Sequence, residues 1–157
     1  MTVNGGDVIY AADVNTTIAQ SVYTADSSTW TSTETSIMTV TANLVSGQTY
    51  MIEMDCNIGT SAVTYTWSST NAEASSVRIR EDTVSGNQLA QGQVFMSAAS
   101  SVGFALTVRV PYTATATGEK TFVAGAQKSN SSAATHIMRA ATSRPGLFTI
   151  TKQQEVS

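Results

Sequence analysis

The side chains able to do chemistry are few and far apart. There is one histidine, His136, and one cysteine, Cys56. In "THIMRA" a period of two sets His136 on one face with Met138 and Ala140, toward a core or an interface. Serine is abundant, so partners for a Ser-His-acid arrangement exist by number alone. No G-x-S-x-G elbow is present to hold a nucleophile, and no catalytic residue is assigned. Cys56 lies between Met54 and Ile58 on one strand face, a setting for a buried, inert thiol. Zinc takes about four Cys or His ligands, so neither a metal site nor a cofactor is expected.

Two acidic pairs stand out, Glu53 with Asp55 and Glu81 with Asp82. Carboxylates of this kind can ligate calcium or work as acid and base across a glycosidase cleft. The plainer expectation is solvated pairing with Arg78 and Arg80. Trp30, Tyr65 and Trp67 lie in Ser/Thr/Asn-rich segments, where an exposed ring could stack on a sugar. Core packing is the commoner fate of a strand tryptophan.

The elements that must carry these residues read as strands. "SIMTVTANL" alternates with Met38, Val40, Ala42 and Leu44 on one face. "TYMIEMDCNI" does the same with Tyr50, Ile52, Met54, Cys56 and Ile58. The intervening "VSGQ" predicts a hairpin between them. "SVRIREDT" turns through "VSGNQ" into "LAQGQVFMSA", where Gly92 marks a bulge or an edge. "VGFALTVRV" aligns Val102, Phe104, Leu106, Val108 and Val110, and Pro111 is expected to end it. After the loop "ATATGEK", "TFVAGAQK" turns Phe122, Ala124 and Ala126 inward. "THIMRA" and "LFTITK" flank a loop containing "SRPG". One short strand is expected around Trp30, and a single turn or short helix within "AADVNTTIAQ". The spacing predicts an all-β, antiparallel β-sandwich of jelly-roll type, with about eight strands.

Composition agrees. A chain of 157 residues is one domain's worth. Charged residues make up 12%, about half of the usual roughly 25%, while 20 serines and 25 threonines replace them. Exposed faces should therefore be neutral and hydroxylated. Net charge is −3 and the eight Lys and Arg are scattered, which argues against nucleic-acid binding. No run of about 18 apolar residues exists to insert in a membrane as a helix. No positively charged start precedes an apolar leader, so secretion is not expected. The N-x-[ST] triplets at Asn15 and Asn130 are then chance products of composition.

"VNGGDVIYAADVNT", Val3 to Thr16, is too short to be a domain and too apolar at Val8, Ile9 and Tyr10 to be a solvated tail. On composition alone it either folds back on its own domain or lies on a neighbour. "GGDVIYAADVNT" resembles the opening of many bacteriophage tail-fibre and minor tail proteins, with their Gly-Asp-x-Ile-x-Ala-x-Asp-x-Asn stretch. "NLVSGQTYMIEMDCNI", "SVRIREDTVSGNQL", "PYTATATGEKTFVAGAQ" and "RPGLFTITKQ" are similar to small jelly-roll domains of phage virion proteins. These include tail-tip, head-fibre and capsid-decoration proteins, many of them trimeric.

The resemblance runs from about Leu44 to Lys152 and implies an attachment arm over residues 1–17, through Val8, Ile9 and Tyr10, ahead of a jelly roll over residues 18–157. It implies a virion protein made in the host cytoplasm without a signal peptide. Its partners would be its own copies, as a homotrimer, and other virion proteins. A minor tail or tail-tip role would add host glycan as a partner, met by Trp30, Tyr65 and Trp67. A capsid-decoration or head-fibre role is the alternative within the family. A free carbohydrate-binding, lectin-like module is the alternative outside it. The family pattern carries no catalytic residues to transfer.

Overall fold

The structure, a computed structural model, describes residues 15–60, 73–96, 104–128 and 136–153. Nine strands account for most of them: β1 (Thr16–Tyr23), β2 (Thr35–Leu44), β3 (Thr49–Thr60), β4 (Glu73–Glu81), β5 (Gln88–Met96), β6 (Phe104–Thr113), β7 (Gly118–Lys128), β8 (His136–Arg139) and β9 (Gly146–Lys152). They form two antiparallel sheets. One has the order β1-β9-β3-β6, with β8 also on β3; the other has the order β2-β7-β4-β5.

The pairing has a simple logic. β1 pairs with β9, β2 with β7, β3 with β6 and β4 with β5. These four ladders are one long hairpin whose tip is the β4–β5 turn. Rolling it up adds the β3–β9 and β4–β7 ladders and closes two sheets over a common core, which is a jelly roll. The expected fold class is the one found.

Alternation explains the core. Met38, Val40 and Leu44 face inward from β2, Phe122, Ala124 and Ala126 from β7, and Val77 and Ile79 from β4. Opposite them stand Tyr50, Ile52, Met54, Cys56 and Ile58 of β3, with Phe148 and Ile150 of β9. Most are wholly buried, each side chain contributing about 1.5–3 kcal/mol by leaving water.

Several expectations need correction. β2 and β3 are not a hairpin: they belong to different sheets, and the turn from Val45 to Gln48 carries the chain across the core. Gly47 takes a φ of 81° there, and its N–H donates to Ala114 O at 2.8 Å. Alternation marks which face is apolar, but two such strands can meet face to face as readily as edge to edge. Pro111 does not end β6; it sits opposite Met51. β6 is an edge strand, and edges tolerate proline because half of their N–H groups meet no partner.

The region read as a turn or short helix is strand from Thr16 on, two residues ahead of the expected domain boundary at Ile18. β4 begins at Glu73 rather than Ser76. The short strand expected around Trp30 is a single bridge to His136. Gly92 does lie on an edge, in β5. A Cβ there would come within 2.7 Å of Val108 and 3.0 Å of Leu106, so glycine lets β6 side chains close that seam.

The last two strands share one side of β3 end to end. β9 pairs with Tyr50 to Asp55, and β8 with Asn57 to Thr60. Between them the exposed turn Ala141 to Arg144 closes on itself through its own two backbone hydrogen bonds, at 3.1 and 2.9 Å.

At the other seam Tyr23 reaches from β1 to β2. Its hydroxyl accepts from Thr39 N–H at 2.8 Å and lies 3.2 Å from Thr39 O, to which it donates. One side chain thus occupies both outward backbone groups at the middle of an edge strand, where a foreign strand would otherwise pair. Tyr23→Phe removes the hydroxyl alone and should lower stability by about 1 kcal/mol. Urea denaturation checks this; an unchanged midpoint would show that water serves Thr39 equally well.

Candidate functional site

The described residues offer three polar clusters and one open face, and each follows from how the roll positions its strands.

The first cluster contains the lone histidine. His136 opens β8 and pairs with Trp30 through two backbone hydrogen bonds, 2.9 and 3.2 Å long. Its Nδ1 lies 2.6 Å from Ser75 Oγ on β4, and the same oxygen accepts from Trp30 Nε1 at 3.3 Å. The two rings meet edge to face. Ser75 and His136 are both 0% exposed and Trp30 is 1% exposed. A serine beside a histidine is the start of a nucleophilic pair, but this hydroxyl is sealed inside the sandwich. What the contact does is mechanical: it ties β4 in one sheet to β8 in the other and pins the 24–34 segment between them. Trp30, expected among the sugar-stacking aromatics, is therefore corrected to a core residue, since its ring has no face in water. Tyr65 and Trp67 lie outside the described residues, as do Val8, Ile9 and Tyr10.

The second cluster lies on the outer face of the four-stranded sheet. Glu34 reaches over Gly125 of β7, where any Cβ would overlap its carboxylate. There it meets Arg80 through two hydrogen bonds, 2.7 and 2.9 Å long, and Arg78 at 3.0 Å. Arg78 also holds Gln91 and Gln127. Burial pushes the Glu34 carboxyl up, but the Arg80 and Arg78 guanidiniums outweigh it and hold the group below 4.5. Sequence reading assigned the two arginines to the wrong acids. Their partner comes from the irregular segment before β2, where nothing in the spacing of "STETS" announced it.

The third cluster carries the acids that were assigned to them. Glu81 and Asp82 both pair with Lys120 of β7, at 3.1 and 2.9 Å. Tyr112 and Asn87 donate to the same Glu81 carboxylate. Asp82 adopts a φ of 63°, a left-handed conformation that Asp tolerates better than most residues. An adjoining depression of about 120 Å³, lined by Leu44, Tyr112, Thr117 and Lys120, is well under the roughly 300 Å³ of a small-molecule site. Among the described residues no three His, Cys, Asp or Glu side chains converge to hold a metal. Cys56 is buried, and its thiol is pushed up to about 12 by that burial and by the charge of Asp55.

The open face is the outside of the five-stranded sheet. Register arranges it in rows across β1, β9, β3 and β6: Thr17, Thr151, Met51, Pro111; then Gln20, Thr149, Glu53, Arg109; then Val22, Leu147, Asp55, Thr107. Thr107 donates to Asp55, and threonine hydroxyls meet at Thr17 and Thr151. Glu53, Asp55 and Arg109 are the charged members of these rows. Val22 is 53% exposed, and Ile18, at the bulge beside it, 38%. No loop of the described chain covers this face as Glu34 covers the other.

No family profile matches the chain, and no curated protein does. Solved structures similar in shape include the Eiger TNF from S. frugiperda, with 8% identity, TM-score 0.41, and 90% of this chain and 96% of that one covered. An arabinose-bound α-L-arabinofuranosidase has 16% identity and TM-score 0.37, covering 92% of this chain and 21% of that one. The infectious bursal disease virus Gx strain structure has 10% identity and TM-score 0.34, covering 98% and 42%. Similarities this distant add nothing to the strand order itself and carry no activity across.

Two measurements follow from the clusters. The lowered Glu34 carboxyl binds its proton less tightly in the folded chain, so its stabilisation is present above about pH 4.5 and lost as pH falls through the lower folded value. Glu34→Gln should cost about 1–2 kcal/mol at neutral pH, and the gap from wild type should close on acidification. Denaturation at a series of pH values would show it, and a constant gap would mean that charge is not the cause. Cys56 should resist a thiol reagent in the native protein and react fully once unfolded; native-state labelling at the rate of a free thiol would contradict its burial.

Proposed function

We propose that this chain is a bacteriophage virion structural protein, assembled as a symmetric homotrimer and attached to the particle as a minor tail or tail-tip protein. The observation that carries this reading is the junction at Thr16. The phage-like opening of the sequence runs directly into β1, an edge strand of a jelly roll whose outer face is broad, neutral and hydroxylated. Such a face packs against protein without stripping water from many charges. The arm supplies apolar Val8, Ile9 and Tyr10 for a neighbouring protein. Many weak contacts repeated around a ring then sum to a firm hold. The buried Ser75–His136 pair supports a structural reading over a catalytic one. With Trp30 in the core, contact with host glycan falls to Tyr65 and Trp67.

The test is made on particles. Mass spectrometry of purified virions should find the chain, and separated tails should retain it while heads do not. Ile9→Asp with Tyr10→Asp should leave the circular dichroism of the roll unchanged and reduce incorporation at least tenfold, since two buried apolar contacts worth about 1.5–3 kcal/mol each are lost. Wild-type chain absent from particles would sink the reading. Retention of the variant at wild-type level would sink the role of the arm, and recovery with heads would move the protein to the capsid.

A further inference from the structure

We draw no further inference here: the strongest candidate, the apolar patch that Ile18 and Val22 expose on the uncharged edge strand β1, carries nothing, because nothing in the structure shows what covers it.

Discussion

Everything in this molecule depends on two apolar faces that can be hidden only against each other. Each sheet buries one side of its strands and wets the other, and no helix in the described chain is present to cover either inner face. Phe148, Ile150, Ile52 and Met54 need Val40, Phe122, Ile79 and Val77 above them. Connections that switch sheets, among them the 24–34 segment, Val45 to Gln48 and the link between β6 and β7, bring those faces together. The seams are where such a closure is weakest. One is held by the Tyr23 hydroxyl on Thr39 and the other by β6 side chains pressed onto Gly92. The Ser75–His136–Trp30 contact adds a polar tie across the layers.

What alternation could reveal, it did. The inward residues of β2, β3 and β7 are those expected from period two, and the buried cysteine lies where an apolar strand face put it. The jelly roll itself was legible from strand number and spacing. Sheet membership was not, because a tight turn with glycine serves a hairpin and a cross-core arch alike. β1 was hard to see for a different reason: "TTIAQSVY" has little apolar contrast, since only Ala19 and Tyr23 pack on the core. Pro111 misled because an edge strand forgives what a central one cannot.

The site residues were less legible than the fold. Arg78 and Arg80 were correctly placed on an outer face, but their acid had to be found by distance in space, and Glu34 is more than forty residues away in sequence. Ser75 had no signal among so many serines; only the sheet register set it beside His136. Trp30 shows the reverse error, an aromatic in polar company that the fold draws inward. Its indole nitrogen finds an acceptor in Ser75, so the whole ring can leave water without stranding a donor.

The end-to-end sharing of β3 by β8 and β9 has a practical side. The hinge between them, Ala141 to Arg144, is exposed and holds only itself, so the ladder on either side draws no support from it. Loop tips of this kind accept inserted sequence with little harm to the scaffold. A peptide epitope spliced between Thr142 and Ser143 would stand clear of both sheets, making this small roll a ready carrier for antigen display.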